Sequence, residues 1–197
     1  MPLTKERQEK VERVLSYKQP DLTVVLENVH DPHNSSAVLR TCDAVGILDV
    51  HIVMTVPPSE YKLGKKTSGS ANKWLEICHW ESLDDCFDHL RRENKTIMAS
   101  SVGDTATNLY DMTMNKPLAL VFGNEHEGIS EEVMAKADGF FYIPQVGMIE
   151  SLNISVACAV TLYEAFRQRK EGGFYSGSQL SGEFYETLRE RWLQRAK

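Results

Sequence analysis

Three segments carry polar residues that ordinary connections do not need. Residues 28–40 read Asn-Val-His-Asp-Pro-His-Asn-Ser-Ser-Ala-Val-Leu-Arg and lead from a strand pattern into a helical one. Asn34 or Ser35 can cap that helix. Ala37, Val38, Thr41 and Val45 form its apolar stripe, which leaves Arg40 on another face with an intrahelical pair to Asp43 as the simplest account of it. Residues 121–130, Val-Phe-Gly-Asn-Glu-His-Glu-Gly-Ile-Ser, place two glycines and two carboxylates directly after a buried strand. Ligands of open α/β sheets bind beyond the carboxyl ends of strands, so a ligand loop belongs here. The segment has neither the Lys-Ser/Thr ending of a phosphate loop nor GxGxxG spacing. A turn and a helix capped by Ser130 would leave Asn124 and Glu125 unexplained. Residues 143–153, Ile-Pro-Gln-Val-Gly-Met-Ile-Glu-Ser-Leu-Asn, again follow a strand and enter a long helix. The free N–H groups there suit a polar ligand, with Ser151 as the cap. Asn153 is a poor helix former for a first turn.

Other chemistries find little support. The histidines are scattered with no HExxH, and the cysteines Cys42, Cys78, Cys86 and Cys158 form no CxxC among their apolar neighbours, so no metal site is expected and the thiols read as free and buried.

The elements that must hold these segments alternate. Strand patterns cover 23–26, 50–54, 75–78, 96–100, 118–122 and 140–143, with helical patterns at 6–16, 35–45, 83–93, 131–137 and 151–170. This predicts an α/β fold with a mostly parallel sheet and helices on both faces. A Gly-rich linker at 171–181 and a basic amphipathic helix at 182–196 close the chain. The expected organisation is a basic helical extension over 1–20, one α/β domain over 21–170, and a linker with a basic helix over 171–197.

The 197 residues suit one such domain, and 42% hydrophobic with 25% charged residues excludes disordered or membrane-embedded classes. The amino terminus lacks an apolar stretch behind its basic residues, so neither a signal peptide nor a membrane anchor is expected, and a cytoplasmic location follows. The net charge of −6 hides an uneven distribution: both ends are basic while residues 21–162 are acidic. Because phosphate contacts depend on local clusters, such ends can hold RNA or DNA, although a solvated helix face would look similar.

Taken together, in this order and spacing, the three segments resemble the motifs of the SpoU family, in particular its TrmH-type tRNA ribose 2′-O-methyltransferases. Asn34 and Arg40 match the first motif, residues 120–130 the second and residues 143–153 the third; similarity extends to QPDLTVVLENVH and LYEAFRQR, nearly the whole chain. The resemblance implies a deep trefoil knot toward the C-terminus and S-adenosylmethionine as cofactor, with S-adenosylhomocysteine as product. It places the cofactor among Ser100, Phe122, Gly123, Asn124, Glu125, Gly128, Ile143, Met148, Ser151, Leu152 and Asn153. Arg40, Asn34, Glu125, Ser151 and Asn153 would serve catalysis. Lys5, Arg7, Lys10, Arg13, Lys18, Arg167 and Arg169 would contact RNA. It also implies a homodimer whose active site is shared, motif one of one protomer facing the cofactor of the other. The substrate it points to is tRNA at the D-loop guanosine 18. Ribosomal RNA or another tRNA position is the alternative, and an RNA-binding protein without catalysis belongs to another class. Two positions depart from the family pattern: Gln145, where Met is usual, and Asp31, where a basic residue often stands.

Overall fold

The computed structural model describes residues 3–55, 71–103, 105–125 and 127–196. Every named strand pair is parallel, and the seven strands lie in the order β3-β2-β1-β6-β4-β7-β5. They are β1 (Leu22–Glu27), β2 (Asp49–Val53), β3 (Glu76–Trp80), β4 (Thr96–Ser100), β5 (Thr107–Asn108), β6 (Leu118–Phe122) and β7 (Gly139–Tyr142). The two-residue β5 is too short to leave a sequence pattern. That β7 lies between β4 and β5 is consistent with a threaded C-terminal segment.

The helices are α1 (Lys5–Leu15), α2 (Pro32–Val45), α3 (Leu83–Arg92), α4 (Glu131–Lys136), α5 (Ile154–Glu171) and α6 (Gly182–Arg195). Strand β6 is buried throughout, as a strand covered on both faces must be. Its alternate side chains separate two cores. Leu118, Leu120 and Phe122 join α2 and α5 through Val38, Leu39, Cys158 and Leu162, while Ala119 and Val121 join α3 and α4 through Phe87, Leu90 and Val133. Helix α3 is capped by Ser82, with acids in its first turn and bases in its last, an arrangement that suits the helix dipole.

The terminal helices are less separate than their composition suggests. Val11, Leu15, Leu188 and Trp192 of α1 and α6 form a third core with Leu48 of the sheet domain. Arg189 pairs with Glu12, and Arg191 with Glu76 at 2.6 Å. The expected linker is pinned as well: Tyr175 donates to Val45 O at 2.7 Å, and Phe174 O accepts from Gln19 at 3.2 Å. Among the described residues no helix is long and apolar enough to cross a membrane.

Candidate active site

Beyond the carboxyl ends of β4, β6 and β7 lies a cleft of about 520 Å³, built by the loops that follow these strands and by the start of α5. Ser100 comes from β4, Phe122, Gly123, Asn124, Glu125 and Gly128 from β6 and its loop, and Ile143, Ser151, Leu152 and Asn153 from the segment after β7. The structure therefore gathers these sequence-selected residues around one space. Met148 is the exception, fully exposed and away from the cleft wall. Ser101, Val102, Glu127 and Tyr142 also line it. The first two merely continue β4, and the signal that could have found them was its direction, not their residue type.

The loop after β6 closes on itself. Asn124 and Gly128 exchange backbone hydrogen bonds at 2.8 and 3.0 Å, and Gly128 has φ +73, a left-handed conformation that glycine adopts without strain. A Cβ on Gly123 would lie 2.1 Å from the Gly128 carbonyl oxygen, so position 123 admits no side chain unless the loop shifts. The Asn124 amide donates to Asn28 O at 2.8 Å, and Asn28 itself turns the chain at φ 50 after β1. Buried Glu27 accepts from Ser130 N at 3.0 Å. The loop is thus tied down from the β1 side.

The helix caps differ from the sequence expectation. Asp31, not Asn34 or Ser35, caps α2 by accepting from His33 N at 2.8 Å, with Pro32 in the first turn where its missing N–H costs nothing. This gives the departure at Asp31 a structural role and frees Asn34. Asn153, not Ser151, caps α5: its Oδ1 accepts from Ser155 N at 2.9 Å. As a cap rather than a first-turn residue, Asn is favoured. Ser151 stays outside the helix, exposed on the cleft. Gln145 donates to Glu150 O at 3.4 Å within the same loop.

With the caps so placed, the three segments meet. Asn34 Nδ2 donates to Glu125 Oε1 at 3.0 Å, and Asn153 Nδ2 donates to Asn34 Oδ1 at 3.1 Å. Asn34 is nearly buried, so the chain of bonds Glu125, Asn34, Asn153 fixes the rim of the cleft. Arg40 behaves differently. Six residues beyond Asn34 it lies roughly 120° around the helix and ~9 Å along it. It is exposed and absent from the cleft wall, without a hydrogen-bond or ion-pair partner among the described residues. Asp43, its expected partner, faces Lys18 instead at 3.4 Å. The stripe differs too: Ala37 is exposed, and Leu39 and Cys42 are buried in its place.

Two of the basic residues assigned to RNA are structural. Lys18 is fully buried, donates to Ile47 O at 2.7 Å and lies 5.2 Å over the Trp192 ring; burial lowers its pKa, against the opposing charge of Asp43. Arg169 is fully buried as well, bonded to Asp21 at 2.6 Å and to Met114 O at 2.9 Å. Arg167 is exposed but bonded to both Glu164 and Glu171, each at 2.8 Å, and its hydrogen bond holds the Glu164 carboxyl below its ordinary pKa. Lys5, Arg7, Lys10 and Arg13 stay exposed on α1. The thiols are free, and burial pushes Cys86 up to about 12 and Cys158 well above its usual value. Cys78 is only half-buried, unlike the other three.

The SpoU rRNA methylase family model matches residues 21–163. The chain is 43% identical over 192 residues to a tRNA (guanosine(18)-2′-O)-methyltransferase of Thermus thermophilus, covering 98% of each. The crystal structure of the A. aeolicus TrmH/SpoU tRNA modifying enzyme superposes with a TM-score of 0.89 at 34% identity, over 97% of this chain and 96% of that one. The AdoMet-bound rRNA methyltransferase from Sinorhizobium meliloti gives a TM-score of 0.64 at 25% identity, over 86% of this chain and 61% of that one.

Proposed function

Because the chain belongs to the SpoU rRNA methylase family, we infer that it transfers a methyl group from S-adenosylmethionine to a ribose 2′-hydroxyl of RNA, and that its target is guanosine 18 of tRNA. The observation that carries this reading is the bonding of Asn34, Glu125 and Asn153, one residue from each segment, at the rim of one cleft.

The cleft fits the cofactor. Its size lies within the roughly 300–1,000 Å³ of small-molecule sites. Phe122, Ile143 and Leu152 offer apolar surface for a planar base, Ser100 and Ser101 offer hydroxyls, and Glu125, Glu127 and Glu150 give the negative field that a cationic sulfonium prefers. When bound, S-adenosylmethionine supplies a methyl group on a sulfonium that departs as a neutral thioether, so no acid is required on the leaving side. The attacking hydroxyl needs in-line orientation and an acceptor for its proton. Arg40 orients the 2′-hydroxyl and, with a neighbouring substrate phosphate whose oxygen can accept the proton, helps remove it, the guanidinium itself staying protonated beside the developing alkoxide. Asn34 and Asn153 hold Glu125 and the loops in position; Glu125 and Ser151 face the incoming ribose. A 2′-hydroxyl target selects RNA over DNA.

The active unit is a homodimer. Arg40 is exposed and does not line its own cleft, while Val146, Met148, Ile149, Val156 and Tyr163 expose apolar surface around the third segment and α5. A second copy of the chain would cover this surface, Met148 included, and bring its Arg40 to the cleft. Residues 21–170 are then the methyltransferase body, and the helices of 1–20 and 171–197 add surface for the tRNA. Mapping ribose methylation by mass spectrometry in tRNA and rRNA from a deletion strain tests the substrate. Loss at tRNA guanosine 18 alone is expected; loss in rRNA with tRNA intact would overturn the reading.

A further inference from the structure

Away from the cleft, a second cavity of about 170 Å³ lies among α1, α2 and α6. It is lined by the indoles of Trp74 and Trp192, by exposed Arg7 and Lys10, and by Asp43. Trp74 and Trp192 meet edge to face at 5.2 Å, and the Arg7 guanidinium lies 5.8 Å from the Trp74 ring. Trp192 is 1% exposed, and among the described residues its buried Nε1–H has no hydrogen-bond partner. Such an unmade bond is costly in a core position that packing alone could fill with a phenyl ring. The Asp43 carboxylate is held by Lys18 at 3.4 Å through Oδ1, yet stays 31% exposed.

The half-buried Trp74 ring, the two cations, an unpaired N–H and a partly free carboxylate are together the complement of a nucleotide: a ring to stack on, charge for its phosphate, a donor and an acceptor for its base edge. The carboxylate makes the choice of base. Guanine presents a ring N–H and an exocyclic amine side by side, which one carboxylate can accept together; adenine, cytosine and uracil offer no such adjacent pair of donors. Asp43 also lies one turn beyond Arg40 on α2, so the two share a face with Cβ atoms about 5–6 Å apart.

We propose that this cavity is a second nucleotide subsite, which takes an unstacked guanosine flanking the nucleotide that Arg40 orients. The proposal rests on the reading of the chain as an RNA 2′-O-methyltransferase.

Indole N–H resonances of the 15N-labelled full chain, titrated with guanosine monophosphate and in parallel with adenosine monophosphate, test it. Trp80, whose Nε1 donates to His51 at 2.9 Å, is the internal control. Guanosine monophosphate should move the Trp192 and Trp74 signals and leave Trp80 still, whereas the adenosine nucleotide should need about tenfold more. Asp43→Asn should abolish that preference. Because Asp43→Asn also disturbs Lys18, the paired change Arg7→Gln and Lys10→Gln, at two exposed positions, gives an independent reading. It should weaken guanosine monophosphate about tenfold at the Trp192 and Trp74 signals. A still Trp192 signal, an equal response to both nucleotides, or an unaltered guanosine monophosphate affinity in the double variant would each overturn the subsite. Methylation that proceeds while the indoles stay still removes the subsite alone. Indoles that respond in a chain that methylates no RNA remove the assigned activity instead.

Discussion

Asn34 Nδ2 donates to Glu125 Oε1 at 3.0 Å, joining positions 91 residues apart in sequence. The other end of the same amide accepts from Asn153 at 3.1 Å, so one side chain uses both its donor and its acceptor to tie the start of α2, the loop after β6 and the cap of α5 together. Asn34→Ala removes the partner of Glu125 Oε1 and of Asn153 Nδ2, at a cost of about 1 kcal/mol because water can reach both. Asn34→Asp sets a carboxylate against Glu125. Both variants should melt several degrees lower and lose at least about tenfold in kcat. Scanning calorimetry and single-turnover methyl transfer read these out; wild-type values in both would deny Asn34 its linking role.

The basic residues divide into a structural and a solvent-facing set. Arg169→Ala breaks a buried pair and should destabilise the chain by about 3–5 kcal/mol. Arg167→Gln should barely change the salt dependence of tRNA binding, because Glu164 and Glu171 already occupy that guanidinium. Lys10→Gln with Arg13→Gln should flatten the slope of log affinity against log salt by the equivalent of about two phosphate contacts. Binding isotherms over a salt series decide this, and an unchanged slope would mean that α1 is only a solvated face.

Arg40→Ala and Arg40→Lys should both fail in transfer and keep cofactor affinity, since lysine lacks the planar fork. If the site is shared, an Arg40→Ala chain mixed with a Gly123→Ala chain should regain activity. Each mixed dimer then holds one site built from two intact halves. The Gly123→Ala lesion is confined to the cleft, where its Cβ meets the Gly128 backbone. Continued inactivity, with heterodimers verified by native mass spectrometry and both variants folded, would place each site within one chain.

Much of this was legible in the sequence, because strands buried on both faces and helices with apolar stripes leave strong patterns. Strand β6 and helix α3 lie where periodicity puts them. The residues of the second and third segments were legible as a set because a strand's end fixes where its next residues go. The caps were not: Asp31 and Ser35, or Ser151 and Asn153, are chemically equivalent candidates, and only the path of the chain decides between them. Burial of the charges at Lys18 and Arg169 was hidden for a similar reason. Their partners, Ile47 O and Asp21, lie far off in sequence, and a basic residue near a helix end looks the same whether it faces water or a distant carbonyl.

The reaction assigned to this chain is methyl transfer to one ribose hydroxyl. Purified protein, S-adenosylmethionine and two tRNA transcripts, one natural and one with 2′-deoxyguanosine at position 18, test it most directly when the products are digested and mapped by mass spectrometry. One added methyl group is expected, on the ribose of guanosine 18, in the natural transcript and none in the deoxy-substituted one. Methylation of the deoxy-substituted transcript, or a methyl group on a base, would contradict it.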